Sequence, residues 1–126
     1  RSYRTEIFDV LQRSGNLHFV EGNGRLNDQI SYELSGGHSE FHQVFLIQEG
    51  SETIFFGGDE LPEPEQLLRK FMAKYDFNAR KAMELREDYG KRAAADDWTC
   101  LFYHAKSQPI GKVSYQNAAF KITAVN

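Results

Sequence analysis

Residues 41–64 read FHQVFLIQEGSETIFFGGDELPEP, and this stretch decides the fold. Val44-Phe45-Leu46-Ile47 is apolar at four consecutive positions, as expected of a strand covered on both faces. Glu49-Gly50-Ser51-Glu52 is a turn that returns the chain into Thr53 to Phe56, so the two runs predict the central hairpin of a sheet. Gly57-Gly58 and the prolines Pro62 and Pro64 cannot continue a ladder, and Pro64 followed by Glu65 suits a helix's first turn. Residues 57–64 are therefore the hinge between a strand region and a helical one.

On the N-terminal side, Thr5 is placed to cap a helix in which Ile7, Phe8, Val10 and Leu11 share one side, with Gly15 as its stop. A short apolar stretch, Leu17 to Glu21, closes at Gly22-Asn23-Gly24, and Ile30, Tyr32 and Leu34 then alternate with polar neighbours as in a half-buried strand. On the C-terminal side, Leu67, Leu68, Phe71, Met72 and Tyr75 recur at helical spacing and predict a helix to about Tyr75. Asn78 can cap a second helix with Ala79, Ala82, Leu85 or Met83, and Tyr89 inward and Gly90 as a natural stop, Ala93 to Ala95 being able to prolong it. Strands follow at Trp98 to Ala105, around Val113 and Tyr115, and around Phe120 and Ile122. The order of elements predicts one α+β domain over residues 1–126, built on a mainly antiparallel sheet of about six to seven strands. The N-terminal helix and the two central helices are expected to pack on one face.

A length of 126 residues matches about one domain, and 40% apolar content with 10 Phe, 6 Tyr and one Trp can fill its core. Charge is uneven along the chain. Up to Pro62 there are four arginines against ten carboxylates and no lysine, whereas from Glu63 on there are eleven basic residues against eight acidic ones. No apolar run reaches the roughly 18 residues of a membrane-spanning helix, so no membrane partner is expected. The single cysteine, Cys100, has no intrachain disulfide partner, which fits a reducing compartment and makes the cytoplasm the expected location. The chain begins at Arg1 rather than Met, which leaves its natural start open.

The histidines and the cysteine are the first place to look for a metal. Cys100 and His104 fall four apart on an expected strand, about 13 Å at roughly 3.3 Å per residue, too far for one ion. His38 and His42 have the same separation, and no CxxC, HExxH or helical HxxxH pattern is present. No metal, cofactor or catalytic set is expected on these grounds, and Cys100, flanked by Trp98, Leu101 and Phe102, reads as an inert buried thiol. Glu84-Leu85-Arg86-Glu87-Asp88-Tyr89-Gly90 resembles the end of a Nudix box, which implies helical carboxylates holding magnesium against a pyrophosphate. The earlier glycine and glutamate of that box fall at Arg69 and Tyr75, and its arginine at Met83, so its phosphate-positioning loop is missing.

A basic helical face remains. Arg69, Lys70, Lys74, Arg80, Lys81 and Arg86 form the candidate binding set, interspersed with acidic residues in a chain of isoelectric point near 5.8. The leading expectation is a small non-enzymatic interaction module that binds a protein partner or itself, as a homodimer, through exposed aromatics beside one sign of charge. The alternative is a nucleic-acid binder using the basic helices. The third is a metal-dependent hydrolase using Glu84, Glu87 and Asp88, or a cleft holding His104.

Overall fold

The computed structural model describes residues 4–125. Seven strands form one sheet: β1 (Gly24–Arg25), β2 (Ile30–Leu34), β3 (Gln43–Glu49), β4 (Glu52–Phe56), β5 (Thr99–Leu101), β6 (Ile110–Gln116) and β7 (Ala119–Ala124). Their spatial order follows the chain order, so the acidic early strands and the basic late ones occupy opposite sides of the sheet. Every neighbouring pair is antiparallel except β4 and β5, which run parallel. That parallel step requires a crossover. It is made by a 3-10 turn (Gly58–Glu60) and the helices α2 (Glu65–Leu68) and α3 (Ala79–Ala95).

The hairpin predicted from residues 41–64 forms as β3 and β4, with Glu49 opposite Glu52 and Gly50 at φ 58, the positive angle that a two-residue turn demands at its first position. Alternation along these strands sends Val44, Leu46 and Phe55 into the core and leaves Phe45, Ile47, Ile54 and Phe56 half-buried on the opposite face. In the core, Phe55 stacks on Tyr89 of α3 at 5.1 Å and on Trp98 at 5.3 Å between ring centroids. Cys100, Phe102 and Val113 complete that layer from β5 and β6 and the residues beside them.

The helices differ from expectation in three ways. The N-terminal helix α1 (Thr5–Ser14) forms and ends at Gly15, but it buries none of its residues, and the main helix packing on the sheet is that of α2 and α3. Helix α2 stops after one turn at Arg69, whose backbone is extended (φ −132, ψ 142), instead of running to Tyr75. Helix α3 starts where Asn78 predicts, with the Asn78 side chain accepting from the Lys81 amide, but it passes through Gly90 to Ala95. Gly90 acts in packing, because a Cβ there would stand 2.6 Å from Leu67 and 2.8 Å from Phe120. The stretch 17–21 forms no strand, and β1 falls just after it at Gly24.

Candidate metal centre

Topology brings three separated segments together. Strands β2 and β4 are both antiparallel to β3, and β5 is parallel to β4, so the C-terminal ends of β2, β4 and β5 lie at one end of the sheet. The residues that follow each of those ends carry polar side chains: His38 after β2, Asp59 after β4, and Tyr103 and His104 after β5. Binding sites on sheets with parallel neighbours form beyond the carboxyl ends of the strands for this reason.

His38 Nε2 stands 3.5 Å from Asp59 Oδ2, and His104 Nε2 stands 3.7 Å from Asp59 Oδ1. These distances are longer than a good hydrogen bond. They match the spacing of two donors that share one cation: with each at about 2.0–2.1 Å in tetrahedral geometry, the donors stand roughly 3.4 Å apart. The donor set, two imidazoles and a carboxylate, suits zinc and neighbouring divalent metals. Each histidine faces a different oxygen of Asp59, so the arrangement is two open two-donor edges. Among the described residues no group of three or more His, Cys, Asp or Glu side chains stands close enough together to hold one metal ion, so each edge is a pair.

His38 is held from behind. His38 Nδ1 lies 3.0 Å from Asp76 Oδ1, and Asp76, its side chain fully buried, also accepts from the Ala73 amide and pairs with Arg86 Nη2 at 3.2 Å. A carboxylate paired with a guanidinium accepts, so His38 Nδ1 carries a proton toward Asp76 and Nε2 is the nitrogen turned to Asp59. Arg86, 2% exposed, donates further from Nε to the Glu60 carbonyl at 2.6 Å and from Nη1 to the Phe71 carbonyl at 3.1 Å. Glu60, fully buried, accepts from the Gly37 and His38 amides through Oε2, which fixes the loop that carries His38. Gly37 must lack a side chain, since a Cβ would stand 2.5 Å from Glu60 Oε1 and 2.8 Å from the Ala82 Cα.

His42 braces Asp59. Its Nε2 accepts from the Asp59 amide at 3.1 Å, so Nδ1 carries the proton and donates to Ser35 Oγ at 2.7 Å, and the Ser35 hydroxyl donates to the His42 carbonyl. Burial, opposed by the nearby Glu60, lowers the His42 pKa below its ordinary value and keeps the ring neutral for this role. Tyr103 donates its hydroxyl to Asp59 Oδ1. Partial burial, then the Asp59 hydrogen bond and charge, push its phenol up to about 12, so it retains its proton. In front lies a cleft of about 300 Å³, lined by His38, Asp59, His104, Pro62, Phe71 and Tyr75 among others.

The sequence-derived candidates are dispersed. Arg86 is buried beneath the site. Arg69 and Lys70 are exposed and line a separate groove with Glu87 and Tyr115, Lys74 lies in the segment between α2 and α3, and Arg80 and Lys81 sit in the first turn of α3. Glu84 and Asp88 are exposed on α3, and Glu87 pairs with Lys91 at 2.9 Å as in an ordinary solvated helix. Cys100 is a core residue whose thiol is pushed up to about 12 by burial. Sequence spacing pairs His38 with His42 and Cys100 with His104, whereas the fold pairs His38 with His104 across Asp59. The signal that could have found them is positional, since Gly36-Gly37-His38 and Gly57-Gly58-Asp59 each put a glycine pair and a potential ligand just past a strand.

No family model and no curated protein matches the chain in sequence. Solved structures do match in fold. A probable metal-dependent hydrolase from Staphylococcus aureus is similar over 90% of this chain and 42% of its own, with a TM-score of 0.74 and 20% identity. AidC, a dizinc quorum-quenching lactonase, is similar over 97% of this chain and 42% of its own, with a TM-score of 0.78 and 18% identity. AbOPH, a hydrolase in the beta-lactamase superfamily, is similar over 94% of this chain and 42% of its own, with a TM-score of 0.83 and 18% identity. The likeness corrects the leading expectation of a non-enzymatic, protein-binding module, because the fold this chain adopts is one that metal-dependent hydrolases use. The chain spans about 42% of the length of each of these proteins, so what is shared is the fold of that part.

Proposed function

We propose that this chain carries part of the metal centre of a metal-dependent hydrolase, with His38, Asp59 and His104 as ligands. One observation carries the reading: the two imidazoles, delivered from opposite ends of the sequence, face the two oxygens of one carboxylate at ligand-to-ligand distances. A divalent cation held there supplies Lewis acidity, activating water and polarising the bond to be hydrolysed. The chain's own residues do the rest. Asp76 fixes the His38 tautomer, His42 and Tyr103 hold Asp59, and Glu60 holds the backbone of the His38 loop. Pro62, Phe71 and Tyr75 give the cleft an apolar wall that limits water and accepts apolar parts of a substrate. A lactone, the substrate class named for AidC, is the first to assay.

Calorimetric titration of zinc into the metal-stripped chain tests the proposal. Uptake is expected, with at least about tenfold weaker binding in each of His38→Ala, Asp59→Ala and His104→Ala. No uptake, or uptake indifferent to all three substitutions, would refute it.

A further inference from the structure

Tyr103 touches two of the three proposed ligands without being one itself. Its hydroxyl donates to Asp59 Oδ1, the same oxygen that faces His104. Its ring meets the His104 ring edge-on, with centroids 4.1 Å apart and planes at 80°. Phe56 backs it from β4 at 5.7 Å. The residue is 51% exposed, so core packing does not account for a large aromatic side chain held at this point.

Each carboxylate oxygen offers two lone pairs, so Oδ1 can accept from Tyr103 and still face a cation. The hydrogen bond fixes the rotation of the Asp59 carboxylate about its last bond, and the ring contact fixes the plane of the imidazole. Without them, both ligands would have to be ordered at the moment of binding, at a cost in affinity. Resting on the metal reading above, we propose that Tyr103 is a positioning residue that sets the cation affinity of this centre through Asp59 and His104.

Zinc calorimetry on the whole chain tests this, alongside the tyrosine ultraviolet difference spectrum recorded during the titration. Tyr103→Phe keeps the ring and loses the hydroxyl, and is expected to bind zinc about tenfold more weakly; Tyr103→Leu also loses the ring contact and is expected to fall toward 100-fold. Because the side chain is half exposed, the urea midpoint of Tyr103→Phe should equal that of the parent, which a purely structural role would not allow. Zinc should perturb the tyrosine spectrum of the parent and of Tyr75→Phe, whose ring is the other one beside a proposed ligand, and perturb that of Tyr103→Phe less than either. If zinc binds in a His38-dependent way and Tyr103→Phe binds within twofold of the parent, the inference fails while the metal reading stands. A loss of affinity matched by a lowered midpoint would also overturn it. If the parent takes up no zinc, both fail together.

Discussion

Arg86→Met removes a guanidinium at the centre of the support beneath the site while keeping most of the apolar stem. The side chain is 2% exposed, and its partner Asp76 has a fully buried side chain. Breaking a buried pair from one side strands the other charge, at about 3–5 kcal/mol. The Glu60 and Phe71 carbonyls lose their donors as well, at about 1–3 kcal/mol for each that stays dry. Asp76 keeps the Ala73 amide and His38, which moderates the loss, so about 4 kcal/mol is expected, a large part of the roughly 5–15 kcal/mol that holds a domain folded. Urea unfolding followed by Trp98 fluorescence reads this directly, since Trp98 stacks on Phe55 in the core, and the midpoint should drop by roughly 2 M. Adding Asp76→Asn removes the stranded charge and should recover part of the loss. A drop of less than about 1 kcal/mol, the range of an exposed ion pair, would refute the reasoning.

Gly37→Ala forces a Cβ against Glu60 and the backbone of α3, which cannot move aside, and should cost about 1–3 kcal/mol in urea unfolding; an unchanged midpoint would contradict the close approach. Ala118→Gly should stabilise by about 1 kcal/mol, because Asn117 and Ala118 both hold positive φ in the two-residue turn between β6 and β7, and a midpoint that does not rise would show that the strain is absent. The Cys100 thiol, raised from 9.0 to about 12, should stay silent to a disulfide reagent at pH 8 until the chain unfolds. Its linkage has a definite sign. The folded state holds this proton more tightly than the unfolded one, so the contribution is complete below about pH 9 and is lost as pH rises toward 12, a slope that Cys100→Ala should lack.

The strands were legible because β2 alternates apolar with polar residues while β3 is a continuous apolar run returned by a glycine turn into β4, and the start of α3 was legible because Asn78 is a capping residue followed by an apolar face. Helix α2 was not. The spacing of Leu67, Leu68, Phe71, Met72 and Tyr75 is helical, yet Arg86 from α3 takes the Phe71 carbonyl and the nearby Asp76 takes the Ala73 amide, so side chains claim backbone groups that a longer helix would have used. Arg86 misled for the same reason, since sequence alone makes an arginine on a charged helix a surface residue. The site was hidden by distance along the chain. His38, Asp59 and His104, from three strand ends, share no local spacing, and only the direction of β2, β4 and β5 brings them together. His104 was misplaced within a strand, where it would oppose Cys100; β5 ends at Leu101, and His104 turns back so that its amide donates to the Pro62 carbonyl.

The segment between α2 and α3 has no regular structure of its own and is pinned by Arg86 and by Asp76. The end of that segment also holds the His38 loop by its backbone, the Phe77 amide donating to the His38 carbonyl and the Asn78 amide to the Gly37 carbonyl, so displacing it would release the ring of His38 and its main chain together. Hydrogen exchange at the Phe77 and Asn78 amides therefore reports how often His38 loses that support.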